Sequence, residues 1–238
     1  DNYASSTTET ALGSARGTAH TTTLTSGKIT AVGGITVTTT GAGTSLDDID
    51  SFIVYGYTTT KAANPTAVAA FINAAKKGGN IAVGQYNSAV GTANIASSSY
   101  SSAVGYRNEA SGGGSNAVGG NNLAKSQASN AFGFRNTVNH GGSNTNPFIS
   151  EGVGVATANA FGTANNVTGA GATAVGLKNT ASGVVSSAFG TGATANKKGA
   201  IAFAGWYDQN ADNKIGDASL TASETAAATG VSSVAIGA

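Results

Sequence analysis

The chain has 238 residues, a net charge of +1 and no cysteine, which excludes a disulfide framework and any Cys-ligated metal site. Charged residues make up 10% of the sequence, whereas about 25% is ordinary, so the basic density of a nucleic-acid-binding protein is missing. With 35 glycines but only two prolines, the composition indicates regular structure built from small residues rather than a disordered chain.

The first 79 residues contain one copy of a pattern that recurs later in the chain, followed by a long excursion. The copy is Thr-Ala-Leu-Gly at residues 10–13. In the excursion, apolar and polar residues alternate on both sides of Gly33-Gly34, which is a two-residue hairpin signal. Residues 51–57 have the composition of a further strand.

A helix is predicted over residues 65–77 because both of its ends carry boundary signals. Asn64 is a favourable N-cap residue, Pro65 suits the first helical position, and Gly78 is placed to end the helix. We therefore expect residues 1–79 to form a first coil plus a small mixed α/β insertion. Such an insertion serves either as a cap on the exposed end of a repeat structure or as a ligand-binding tip.

A fourteen-residue repeat fills residues 80–204. We number each copy from a glycine that follows alanine and one apolar residue. Alanine then occupies position −2, Val, Phe or Ile occupies −1, asparagine occupies +3 from Asn87 to Asn179, and Ala or Val occupies +5. Because the two small apolar sites are seven residues apart, each copy consists of two seven-residue arms. The position-zero glycines are residues 84, 91, 105, 119, 133, 162, 176, 190 and 237, and Ala204 takes the same place.

This period, with its β-branched residues and glycines and no helix-length apolar stripe, predicts a β-solenoid whose coils each contain two strands and two turns. Alternation along a strand places −1 and −3 on one face and −2 on the other, where only alanine fits. Glycine at zero suits a corner with positive φ or a close backbone approach. Asparagine at +3 can adopt the left-handed conformation and pair with its counterpart one coil away.

The interior expected from these residues is thin. Ala and Val side chains bury little apolar area, whereas ordering the backbone costs about 1–2 kcal/mol per residue. An isolated rod would therefore be marginally stable. An apolar column on an outer face would be an exposed patch, which favours self-association through that column.

Three copies carry a resemblance to a known family. The segments SNAVGGNNLA (115–124), TAVGLKNTA (173–181) and SSVAIGA (232–238) resemble the SVAIG-type head repeats of trimeric autotransporter adhesins, the YadA-like head. The resemblance implies an all-β, left-handed parallel β-roll with three chains around one axis as a homotrimer. It also implies display at the cell surface, on the outer membrane of a Gram-negative bacterium, and a role in adhesion.

Polar segments interrupt the repeat, and one of them suggests a metal site. Residues 140–147 are expected to form a protruding loop. In the last region, 205–238, a polar insertion precedes the final repeat and places Asp208, Asn210 and Asp212 at positions 1, 3 and 5 of a calcium-loop pattern. The expected turn glycine and bidentate glutamate of that pattern are missing. Ca²⁺ binding and an ordinary polar loop are both open, and no other cofactor is expected.

One corner of the repeat carries bulky apolar and basic side chains at positions +1 and +2. An aromatic and basic stripe of this kind could grip a host protein or an anionic glycan. The alternative is that these groups seal contacts between neighbouring chains. The pairs are Tyr106-Arg107, Phe134-Arg135 and Leu177-Lys178.

The sequence contains no catalytic or nucleotide-binding motif, and its two histidines, His20 and His140, lack metal-ligand spacing. We expect a non-catalytic adhesin head whose partner is a host extracellular matrix protein, an anionic glycan or a bacterial surface partner, and not nucleic acid. No run of 18 apolar residues occurs, so we expect no membrane insertion by this segment and place any anchor or export signal outside it. The alternatives are an ice-binding β-solenoid, suggested by TTTLT and ITVTTT, and a structural fibre segment.

Overall fold

The computed structural model describes residues 3–4, 10–13, 20, 22–32, 35–54, 57–140, 157–206 and 225–237. These residues are mostly β-strand and include one α-helix. The chain divides into two compact units, residues 1–121 (unit 1) and residues 122–238 (unit 2). Both units contain stacked parallel coils, so the predicted all-β solenoid is confirmed. The left-handed sense of the coils and the homotrimer stay predictions.

Each coil of unit 1 consists of one longer strand and one two-residue strand, and strands of the same kind pair in parallel. The predicted coil at residues 10–13 is confirmed, because Gly13 stands opposite Gly91 in the pairing of the first two longer strands. The longer strands are Thr10–Gly13, Ser88–Thr92, Ser102–Tyr106 and Asn116–Gly120. The two-residue strands are Tyr3–Ala4, Ile81–Ala82, Ile95–Ala96 and Glu109–Ala110.

Unit 2 repeats this coil, and its two long interruptions leave the register unchanged. Ala131 stands opposite Ala160 across the first interruption, and Ala202 stands opposite Ala235 across the second. The longer strands are Asn130–Phe134, Asn159–Thr163, Thr173–Leu177, Ser187–Thr191, Ile201–Ala204 and Val234–Gly237. The two-residue strands are Leu123–Ala124, Thr137–Val138, Asn166–Val167, Thr180–Ala181, Thr194–Ala195 and Ala227–Ala228.

The excursion of unit 1 contains an antiparallel sheet whose five strands are neighbours in chain order. The predicted hairpin around Gly33-Gly34 is confirmed, since Val32 stands opposite Ile35. The single strand expected over residues 51–57 is wrong. One strand ends at Val54 and the next begins at Tyr57, and these two residues stand opposite each other in an antiparallel pair. The strands are Thr22–Thr25, Lys28–Val32, Ile35–Thr39, Ile49–Val54 and Tyr57–Thr60, with a 3₁₀ turn at Leu46–Asp48.

The helix Pro65–Lys77 has the predicted boundaries. The Asn64 side chain accepts a hydrogen bond from a backbone N–H of the first turn at 3.0 Å. Gly78 ends the helix in the left-handed conformation, with φ 62°. On the buried face, Phe71 stacks on Phe52 of the antiparallel sheet with ring centroids 4.7 Å apart. The helix and sheet therefore form a small mixed α/β layer.

The insertion and the first coils of unit 1 share one apolar core, which includes Ile81 and Ile95 of the coils. His20 adds polar contacts to the end of the helix. Its backbone N–H donates to the carbonyl of Ala75 at 2.9 Å, and its Nε2–H donates to the carbonyl of Gly79 at 2.7 Å. Burial lowers the pKa of His20, which favours the neutral ring that makes this hydrogen bond.

Alanine lines the interior of the described solenoid coils at position −2. Its side chain is fully buried in both units, for example at Ala103 and Ala174, as the alternation along a strand predicts. The two-residue strands contribute the buried Ala or Val at position +5, for example Ala110 and Val167. The interior of a coil is therefore filled by small side chains from both strands.

Glycine at position zero is required by a close backbone approach. Gly176 lies inside the strand Thr173–Leu177 with φ 121°, and a Cβ there would overlap the carbonyl oxygen of Gly190 in the next coil. The expected close approach and positive φ are confirmed, but the expected corner at this position is wrong. The corners lie at positions −5 and +2, seven residues apart, where residues such as Val185 and Lys178 are left-handed.

Buried asparagines at position +3 form a hydrogen-bonded ladder along the coils. In unit 2, Oδ1 of Asn136 accepts from the N–H and from Nδ2 of Asn165 at 3.0 and 2.9 Å. The carbonyl oxygens of Phe161 and Gly176 also lie 3.0 and 2.9 Å from Nδ2 of Asn165, so its two hydrogens are shared among three acceptors. Oδ1 of Asn165 accepts in turn from Asn179. The predicted pairing between successive coils is confirmed.

Two details of the predicted ladder are wrong. The left-handed residue is at position +2, immediately before the asparagine, because the turn comes one residue earlier than expected. Asn87 belongs to the other arm, since its Oδ1 accepts from the N–H of Ser101 at 3.0 Å. Asn80 takes its place in the ladder and accepts from Asn94. The sequence misleads here because Ala82-Val83-Gly84 copies the longer-strand pattern within the short-strand arm.

We predict that Asn165→Ala lowers the free energy of unfolding by about 3 kcal/mol, because buried backbone groups of Phe161, Gly176 and Asn179 lose their partner. Asn166→Ala changes the exposed neighbour and is the matched control, with an expected change below about 0.5 kcal/mol. Equilibrium urea denaturation at constant protein concentration measures both values. A loss at Asn165 no larger than the loss at Asn166 would contradict the role of the ladder.

Candidate interaction surface

The outer face of the longer strands is a regular surface of unit 2. Because alternate residues point to opposite faces, alanine at −2 faces the interior while positions −3, −1 and +1 face outward. The interior therefore holds methyl groups, and the larger apolar residues lie outside. This arrangement is the reverse of an ordinary domain, in which the largest apolar side chains are the most buried.

Position −1 forms what we call the outer apolar column of unit 2. Its members stand opposite one another in successive strands, without a polar residue between them. Two pairs of phenylalanine rings stack along the column, with centroids 5.4 Å and 5.0 Å apart. The members are Phe132, Phe161, Val175, Phe189, Phe203 and Ile236.

Much of this column is exposed in the single chain. The exposed fractions are 40% for Phe161, 45% for Phe203 and 78% for Ile236. Large apolar side chains exposed in one continuous row are typical of interaction surfaces, whereas ordinary surfaces expose such side chains singly.

The columns beside it carry no charge. Position −3 is neutral and polar in most strands, and Nδ2 of Asn130 donates to Oδ1 of Asn159 at 2.8 Å. It becomes apolar in the last two strands, at Ile201 and Val234. The face spanned by positions −3 to +1 is about 24 Å long and about 13 Å wide. Depletion of charge with enrichment of aromatic residues is typical of the core of a protein interface.

The residues predicted from the sequence as a ligand-binding stripe fall into both units. In unit 2, Phe134 and Leu177 occupy one column at position +1, with Thr163 between them in register. Arg135 and Lys178 follow them at the left-handed corner. The structure thus brings these four predicted residues to one edge, with Phe134 and Leu177 about 10 Å apart.

Tyr106 and Arg107 form an equivalent pair in unit 1. The guanidinium carbon of Arg107 lies 5.3 Å from the ring centroid of Tyr106, and Arg135 lies at the same distance from Phe134. Each arginine therefore rests on the exposed ring that precedes it, in a cation–π geometry. Both roles considered for these pairs, ligand binding and contact between chains, stay predictions.

The candidate Ca²⁺ residues Asp208, Asn210 and Asp212 lie outside the described residues, as do residues 141–147 of the expected protruding loop. Within the described ranges, no three His, Asp or Glu side chains are close enough to hold a metal ion. The same part of the chain has no helix with the length and hydropathy of a membrane span.

The threonine-rich segments do not lie on the solenoid. Thr36 and Thr38 are exposed on the antiparallel sheet of the insertion, on either side of the buried Val37. Most longer strands of the coils carry asparagine, serine or a single threonine at position −3, and the last two carry Ile201 and Val234 there. The repeated Thr-x-Thr face that an ice-binding solenoid would need is therefore not formed by the described coils.

One exposed aromatic pair was not predicted from the sequence. Tyr86 and Tyr100 are stacked and exposed at a corner of unit 1, with ring centroids 5.2 Å apart. The signal was present, because the two tyrosines are fourteen residues apart and so share one position of the repeat. The pair was not predicted because both tyrosines occupy position −5, outside the repeat positions −3 to +5 to which the sequence pattern assigns a role.

The outer face of unit 2 can bury a row of apolar side chains against another apolar surface. No charged group would lose its hydration in such a contact.

Comparisons with protein-family models, with curated proteins and with solved structures found no match.

Proposed function

We propose that this chain is the non-catalytic head of a trimeric surface adhesin, displayed on the outer membrane of a Gram-negative bacterium. The observation that carries the proposal is the outer apolar column of unit 2. Three copies pack through their columns around a common axis, and the remaining faces bind the target. Closed symmetry of this kind buries the same patch on every chain and leaves no open end for further growth.

The energetics favour association over an isolated chain. Burying one Val, Ile or Phe side chain contributes about 1.5–3 kcal/mol. Most of the six members are already partly buried in the single chain, so together they offer about half of their full value, which is comparable with the lower end of the 5–15 kcal/mol typical of a whole domain. The alanine interior offers much less per residue, because each side chain contains a single methyl group. A coil of this composition gains most of its apolar burial from its neighbours.

The number of chains and the adhesive role are supported by the repeat itself. The fourteen-residue pattern that resembles trimeric autotransporter heads is the pattern that forms the coils. A rod of identical coils repeated in three chains presents each surface group many times, and multivalency of this kind raises avidity by about 10²–10⁴. The target is a host extracellular matrix protein, an anionic glycan or a bacterial surface partner.

The ice-binding alternative receives no support from the arrangement of the threonines. Thr36 and Thr38 belong to a five-stranded antiparallel sheet, so they do not repeat along the solenoid coils. A structural fibre segment shares the associating column and differs from an adhesin only in having no target. Adhesion assays therefore distinguish a structural fibre segment from an adhesin.

We predict that the double variant Phe161→Ser/Phe203→Ser abolishes association and lowers adhesion of chain-coated beads to matrix-coated surfaces by about 100-fold. The cause is the loss of apolar burial in the outer column. Chemical cross-linking reports association, and bead counts under flow report adhesion.

The matched control is Val184→Ser/Val185→Ser in the same unit, where two exposed apolar residues lie at a corner outside the column. This variant is expected to behave as the unmodified chain. Retention of both association and adhesion by the phenylalanine variant would overturn the proposed assembly.

A second prediction concerns the basic corners. Arg107→Ser/Arg135→Ser/Lys178→Ser is expected to lower adhesion about tenfold, which corresponds to about 1.4 kcal/mol, while leaving cross-linked trimers unchanged. The control is Lys61→Ser/Lys197→Ser/Lys198→Ser, which removes the same charge from other exposed positions. Equal adhesion by the two triple variants would reject a specific role for the corners and leave only an effect of net charge.

A further inference from the structure

The exposed tyrosine pair of unit 1 is a second candidate surface, separate from the outer apolar column. Tyr86 and Tyr100 occupy position −5 of successive coils, at the corner that precedes the longer strand. Their rings are nearly parallel, with 16° between the planes, and their exposed fractions are 57% and 64%. Two flat apolar surfaces with polar tips are thus held in register at the edge of the unit.

Folding does not require tyrosine at this corner. Both tyrosines are left-handed, with φ 58° and 61°, a conformation that is unfavourable for bulky residues. Smaller residues fill the same position elsewhere. Backbone strain that surrounding structure must sustain is found preferentially at functional sites. The other left-handed residues at position −5 are Gly114, Ala128, Gly171, Val185, Gly199 and Ser232.

The next corner of unit 1 leaves room beside the pair. Its residues 112–114 are all glycine. The N–H of Gly114 donates to the carbonyl of Ser99 at 2.8 Å, just as the N–H of Tyr100 donates to the carbonyl of Gln85 at 2.8 Å. The two corners are therefore stacked in register, and no side chain of the glycine corner covers the face of Tyr100 that is turned away from Tyr86. The Tyr100 ring and the backbone of residues 112–114 therefore border a recess, which we call the step.

The surroundings of this step are polar, and the corners around the pair present Gln85 and Ser99, with no charged residue from residue 78 to residue 106. Beside the glycine corner, the carboxylate of Glu109 accepts a hydrogen bond from the Ser111 hydroxyl at 3.1 Å, and this negative charge disfavours an anionic ligand. A pyranose ring combines an apolar C–H face with a rim of hydroxyl groups. The tyrosine ring can stack on the apolar C–H face of the sugar, and uncharged side-chain and backbone groups can form hydrogen bonds with its hydroxyl groups. An anionic ligand would find no counter-charge here, and a proline-rich peptide would need a longer groove lined with aromatic residues.

We propose that Tyr86, Tyr100 and the glycine corner at 112–114 form a binding subsite for a neutral glycan, with a sugar ring stacked on the free face of Tyr100. The subsite lies wholly within unit 1 and requires no association of chains. Its failure is therefore distinguishable from failure of the proposed adhesin assembly.

The test uses the whole chain and three neutral probes, cellotetraose, maltotetraose and chitotetraose, titrated to about 10 mM, a range suited to weak single-site binding. Saturation-transfer difference NMR measures binding. At least one probe is expected to bind. Tyr100→Gly is expected to weaken that binding at least tenfold and to fold normally, since glycine favours this backbone conformation. Tyr100→Phe retains the ring and is expected to stay within about threefold of the unmodified chain, because the hydroxyl is not the stacking group.

Leu24→Ala removes another large exposed apolar side chain of unit 1, outside every proposed binding surface, and is the matched control, with unchanged binding expected. A heparin tetrasaccharide and decaproline are the competing probes. The proposal is overturned if no neutral probe binds, if binding survives in Tyr86→Gly/Tyr100→Gly, or if only heparin or decaproline binds. Circular dichroism of every variant confirms folding.

Discussion

The close stacking of coils limits what each coil can hold. Successive backbones approach so closely at position zero that a Cβ on Gly105 would overlap the carbonyl oxygen of Gly119. Within the coil, the two strands are near enough that Ala103 and Ala110 are fully buried. A larger side chain at such a position would overpack the interior and force the backbone apart. The ladder asparagines complete the interior, because they satisfy buried backbone groups that a solenoid turn would otherwise leave without partners.

This constraint determines what appears on the outside. Since the interior accepts only small side chains, the phenylalanines of unit 2 have no place within the coils and lie on the outer face of the sheet. They stack on one another along the column, for example Phe189 on Phe203, but stacking leaves the outer edges in water. This imbalance supports the proposed association of chains. The insertion of unit 1 is the exception, because its helix and sheet enclose Phe52 and Phe71 in a conventional core.

Much of this architecture could be predicted from the sequence because the signals were periodic. A fourteen-residue repeat with alanine two places before glycine specified parallel coils, and the capping signals at Asn64 and Gly78 specified the helix. It was harder to predict which arm of the coil each residue belongs to, because Ala82-Val83-Gly84 repeats the longer-strand motif within the arm that contains the two-residue strand. The end of the strand at Val54 was also not predicted, since the residues that follow it in the sequence, tyrosine and glycine, include no polar turn residue. The fourteen-residue spacing placed Tyr86 and Tyr100 at one position of the repeat, but the stacking of their rings depends on the geometry of the corners, which the alternation along a strand does not describe.

The central claim is that the exposed column makes the single chain incomplete. Sedimentation equilibrium of the purified chain over a wide concentration range tests it most directly. The account predicts a species with the mass of three chains, whose dissociation on dilution is accompanied by loss of folded structure. A chain that sediments as a stably folded monomer at all concentrations would contradict it.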